Sequence, residues 1–124
     1  MAVVYTVAVK NARLSAVVTQ IGTTGVLEIG TTGMATILAT INLGNPAGTV
    51  TSGVLTFSGF PRSDTSADNS GTAAAARIRT ASGGTDIVTG LTVGLSGADI
   101  ILDSVNITAG QTVTINSASI THAI

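Results

Sequence analysis

The chain has 124 residues and a net charge of −1, and only 9% of its residues are charged, where a typical soluble domain carries about 25%. Its five basic residues, Lys10, Arg13, Arg62, Arg77 and Arg79, are scattered, which excludes the basic field that nucleic acid or an anionic membrane surface requires. There is no cysteine, so disulfides, thiolate metal sites and thiol redox chemistry are excluded too.

The length fits one domain, 1–124. Mean hydropathy is +0.57, and Thr and Ser together supply 32 residues of neutral polarity. So few charges defend a surface poorly against association. The favoured reading is a subunit whose surface is covered by neighbours, since obligate interfaces resemble a bisected core. The start, MAVVYTVAVKNAR, is apolar before it is basic, the reverse of a secretory signal. No run approaches the about 18 apolar residues of a membrane span. The expectation is a chain made in the cytoplasm and either soluble or built into an assembly.

Val, Ile and Thr account for 46 residues, and these β-branched types suit a pleated surface. With frequent glycines between short apolar runs, they predict a mainly β fold: a β-sandwich or jelly-roll-like antiparallel body. Residues 1–9 read as a strand-like or extended arm. Leu14, Val17, Val18 and Ile21 then recur at helical spacing, with Gly22 at the stop position, predicting one short helix over 9–21. Gly22-Thr23-Thr24-Gly25 echoes as Gly30-Thr31-Thr32-Gly33 around the apolar run Val26 to Ile29, giving a strand between two turns. Met34 to Leu43 alternates, with Ile37, Ala39, Ile41 and Leu43 on one face, and Asn45-Pro46 ends it. Val54 to Phe57 is a further strand. The polar stretch Pro61 to Gly71 reads as an exposed loop, with Arg62, Asp64, Asp68 and Asn69 as its candidate functional residues.

From Thr72 to Thr80 a strand is predicted with Ala74, Ala76 and Ile78 inward and Arg77 and Arg79 outward, within reach of Asp64 or Asp68 or of acids on a neighbouring subunit. Ser82-Gly83-Gly84 turns it into a strand over Thr85 to Val93. Asp99 to Leu102, Val105 to Thr108 and Thr112 to Ile120 follow. In the last of these, Val113 and Ile115 share a face while Ala118 and Ile120 lie on the other. Either a bulge sits near Asn116-Ser117 or both faces are buried, as a subunit interface would require.

No constellation for catalysis emerges. The one histidine, His122, has no nucleophile elbow to serve and reads as a partly exposed residue at a strand end. Asp64 with Asp68, and Asp99 with Asp103, lack the aromatic-lined cleft of a glycosidase. Asp64, Ser66, Asp68 and Ser70 alternate in a way similar to a calcium loop, without its closing Glu. The simpler reading is side chains bonded to their own backbone. No phosphate-cradling glycine motif occurs. The chain is expected to be non-enzymatic and to hold neither cofactor nor metal.

The run RSDTSADNSGTAAAARIRTASGG, followed by TVGLSGADIILDSVNITAGQTVTINSASIT, resembles a family of small structural-cassette proteins of tailed bacteriophages. The segments that carry the resemblance are Ser63 to Ala73, Val93 to Asp99 and Ile107 to Ile115, about half the chain. An aromatic residue usual before the Arg-containing strand is replaced by Ala73 to Ala76. The resemblance implies a virion protein at the capsid surface, first a capsid decoration (cement) protein and second a tail, baseplate or fibre component. The expected partners are the major capsid protein and copies of the chain itself, as a homotrimer. Val3, Val4, Tyr5, Val7, Arg77, Arg79, Ile120 and Ile124 are the candidate interface residues. A carbohydrate-binding module, using the 61–71 loop on a host-surface glycan, is the reading from another class.

Overall fold

The structure is a computed structural model and describes residues 4–44 and 46–122. Helix α1 runs from Val7 to Ile21. Thr6 caps it: its hydroxyl accepts from the Val9 N–H at 3.3 Å, satisfying one of the donors a helix start leaves open. The helix therefore begins two residues before the periodic stretch, and the expected arm ends at Thr6. Val7 and Val9 are exposed, so no apolar periodicity marks this first turn. Leu14 and Ile21 are buried and Val17 and Val18 pack beside them, as the spacing predicts. Gly22, at φ 58°, closes the helix by donating its N–H to the Val18 carbonyl.

The strands are β1 (Val26–Gly30), β2 (Ile37–Asn42), β3 (Gly48–Thr51), β4 (Val54–Phe57), β5 (Arg62–Asp64), β6 (Gly71–Thr72), β7 (Ala75–Arg79), β8 (Asp86–Leu91), β9 (Val93–Gly94), β10 (Ile100–Leu102), β11 (Asn106–Ile107) and β12 (Val113–Thr121). The chain is mainly β, 43% strand and 15% helix, with sheets antiparallel apart from the parallel β9–β10 pair and, among the described residues, a single N-terminal α-helix. One sheet has the order β2-β1-β7-β8. A larger one has the order β3-β4-β12-β10-β9, with β5 also on β12, and β11-β6 forms a small third. Leu27, Ile29, Leu38, Ala76 and Ile78 of the first sheet share one apolar cluster with Leu55, Phe57, Ile100, Leu102, Val113 and Ile115 of the second. Helix α1 lies against β3, β4 and β8, so it bridges both sheets.

Gly25 joins the helix to β1 at close quarters. A Cβ there would sit 2.3 Å from Ile21 Cγ2 and 2.8 Å from the Ile21 carbonyl oxygen, so backbone would have to move. Gly25→Ala is expected to cost about 2 kcal/mol as overpacking, measured by chemical denaturation. Between β3 and β4, Ser52 and Gly53 take φ 52° and 76°, the left-handed pair that a two-residue hairpin requires.

The parity problem of β12 has a local cause. Against β10, Ala118 pairs with Ile100 and Ser117 with Ile101, but Leu102 pairs with Ile115. Asn116 is the extra residue of a bulge, and without it Val113, Ile115, Ala118 and Ile120 would alternate on one face. The first three are buried and Ile120 packs partly against the same cluster. The two-sided apolar pattern thus needs no partner subunit to account for it.

Three expectations are corrected. The predicted strand Thr72 to Thr80 breaks in two: β6 pairs with β11, whereas β7 joins β1. Crossing between sheets shifts the parity, so Ala73 is buried and Ala74 is exposed. Met34 lies in a 3-10 turn, Thr32–Met34, with φ 58°, and β2 starts only at Ile37. Leu38, on the face opposite Ala39 and Ile41, is also fully buried, because Gly71 brings the chain over it.

Candidate interaction surface

The start of α1 and the end of β12 meet at one place. The Gly53 N–H donates to Asn11 Oδ1 at 2.8 Å, and the Gly53 carbonyl accepts from the His122 N–H at 2.9 Å. The β3–β4 turn is thereby clasped between helix and last strand. The Tyr5 ring meets the His122 imidazole edge-to-face at 5.8 Å, and the Arg13 guanidinium lies 4.6 Å from the Tyr5 ring centre, within cation–π range. Around this knot Val4, Tyr5, Val7 and Val9 are 69%, 38%, 53% and 43% exposed. Leu95 is the other large apolar residue exposed among the described residues. Val4, Tyr5 and Val7 of the expected interface thus sit together on the surface, while Val3 and Ile124 lie outside the described residues.

Arg77 and Arg79 share the face of β7 opposite Ile78, as predicted, but they do not reach Asp64 or Asp68. Glu28 is directly across from Arg77 in the β1–β7 ladder. Arg77 Nε donates to Glu28 Oε1 at 2.7 Å, and Arg79 Nη1 lies 3.7 Å from the same oxygen. Glu28 is only 3% exposed. Arg79 Nε is 3.1 Å from Asp86 Oδ1 but misaligned for a hydrogen bond, so that contact is Coulombic. Both arginines are thus committed inside the chain.

The 61–71 segment is not a free loop. Arg62–Asp64 is strand β5 on β12, and Ala67 is buried between its neighbours. The segment covers the outer edge of β2. The Asp68 N–H donates to the Leu38 carbonyl at 2.8 Å, Asp64 Oδ2 accepts from the Thr40 N–H at 3.0 Å, Asn69 Nδ2 donates to the Ile37 carbonyl at 2.9 Å, and Arg62 Nη1 donates to the Asn42 carbonyl at 3.3 Å. An open strand edge is a template for unwanted pairing, and here side chains close it. Asp64→Ala is expected to cost about 2 kcal/mol for a charge-assisted bond left unmade. It should also raise aggregation, measurable by light scattering during refolding. Asp68 and Asn69 remain exposed, whereas Arg62 and Asp64 are half-buried.

Between this cover and β2 lies a groove of about 400 Å³ lined by Thr40, Ile41, Asn42, Arg62, Ser63, Asp64 and Thr65. It has no aromatic platform for a sugar ring, and its two charged side chains are already bonded to backbone. Asp99 is likewise engaged, accepting from the Thr92 N–H and hydroxyl. Among the described residues no group of three or more metal-ligating side chains converges, and no helix is long and apolar enough to cross a membrane. Comparison with known protein families, curated proteins and solved structures finds no match.

Proposed function

We propose that the chain is a non-enzymatic virion structural protein of a tailed phage, a capsid decoration protein that holds the head by apolar and backbone contacts. The observation that carries this reading is the exposed patch Val4, Tyr5, Val7 and Val9, which gathers every exposed large apolar side chain among the described residues except Leu95. An isolated chain leaves this patch in water, whereas an assembled one covers it. The internal commitment of Arg62, Arg77, Arg79, Glu28, Asp64 and Asp86 adds support, since few charges remain for an ionic interface. The sequence resemblance to small phage structural proteins supplies the setting. The test adds purified full-length chain to empty shells of the major capsid protein from the same source. Saturable binding at high copy number is expected, and no binding at micromolar concentration would contradict the proposal.

A further inference from the structure

The charges without a hydrogen-bond or ion-pair partner for the side chain, among the described residues, are Lys10, Arg13, Asp68 and Asp103, and they segregate. Lys10 and Arg13 belong to the helix start, beside the β3–β4 turn and His122 at the end of β12. Asp68 and Asp103 lie at the beginning of β12. Ala67, next to Asp68, bonds to Gln111 and Gly110, and the Asp103 N–H donates to the Thr114 carbonyl. Strand β12 has nine residues, so the two pairs stand roughly 26 Å apart at about 3.3 Å per residue. The exposed apolar residues follow the same division. Val4, Tyr5, Val7 and Val9 accompany the basic pair. Leu95, 59% exposed, follows Gly94, which the parallel register sets beside Ile101, two residues before Asp103.

We infer that a second copy of this chain docks head to tail, its acidic pole with Leu95 against the basic, apolar pole of the first. Opposite charges at the rim set orientation and encounter rate, while the apolar residues supply most of the affinity. A like-to-like contact would set Lys10 and Arg13 against themselves. A head-to-tail contact is heterologous, so it closes into a ring or extends as an open stack according to the rotation between copies. This deepens the proposed function by naming how copies meet, yet it rests on the polarity of the fold and not on the capsid.

The experiment is sedimentation of the full chain and two charge-reversed variants, K10E/R13E and D68K/D103K, with circular dichroism to check folding. The parent is expected to sediment as an oligomer. Each variant alone, with both poles of one sign, is expected to need at least about a hundredfold more protein to assemble, whereas their 1:1 mixture recovers assembly. Leu95→Ser, which leaves every charge in place, is expected to weaken assembly about tenfold. A monomeric parent, variants that assemble unaided, or a mixture that stays dissociated would each overturn the inference. A chain that assembles but ignores capsid shells would instead leave it standing and remove the proposed function.

Discussion

Replacing Arg77 with Ala is expected to lower the unfolding free energy by about 3 kcal/mol, the low end of what stranding a buried ion costs, and to lower the melting temperature by on the order of 10 °C. The reason is Glu28, which is 3% exposed and directly paired to Arg77 at 2.7 Å. The Arg79 guanidinium, 3.7 Å away, keeps the loss from being larger. Replacing both partners together, Glu28→Leu with Arg77→Leu, is expected to restore most of the stability, because the desolvation cost and the attraction disappear together. Asp86 is the internal control. Its side chain is 46% exposed, so Asp86→Ala should change stability by no more than about 1 kcal/mol. Denaturant unfolding of the four proteins reads all of this, and an Arg77→Ala variant as stable as the parent would remove the account of the first sheet's outer face.

The second large effect concerns association. Val4→Ser, Tyr5→Ser and Val7→Ser combined remove most of the exposed patch while keeping Thr6 as the helix cap. Covering each side chain contributes about 1 kcal/mol at these exposures, so binding of the chain to capsid particles is expected to fall by about a hundredfold or more. Raising salt to about 1 M, where the Debye length is ~3 Å, is not expected to release the parent, because apolar contacts are not screened. Release by salt alone, with the triple variant binding as the parent does, would contradict an apolar interface. A deletion of residues 2–9 is a poorer test, since it also removes the cap and first turn of α1.

Local periodicity made the helix face legible through Leu14, Val17, Val18 and Ile21, and it flagged the β12 bulge as a parity conflict. The choice between a bulge and a two-sided interface was not local, because it depends on which residue of β10 faces Ile115. The same holds for Glu28. A single acid inside the apolar run Val26 to Ile29 signals a buried charge that must find a base, and Arg77 and Arg79 share a face two residues apart. Those signals lay in the sequence, but the pairing of β1 with β7 spans 49 positions and no local pattern announces it. The 61–71 segment is largely exposed, as its composition predicts, but its pairing with β12 and its bonds to the β2 edge are not legible there. Polar side chains that bond to a strand edge look the same in sequence as polar side chains that face water. The apolar patch was legible in its residues, Val4, Tyr5 and Val7, while its neighbourhood with His122 and Gly53 came only from the fold.

The most direct measurement of the central claim is the copy number of this chain in purified virus particles, by quantitative mass spectrometry against the major capsid protein. A decoration protein is expected in hundreds of copies per particle, in fixed ratio to the capsid lattice. A few dozen copies or fewer would place it in the tail or at a vertex, and its absence from purified particles would contradict a virion role.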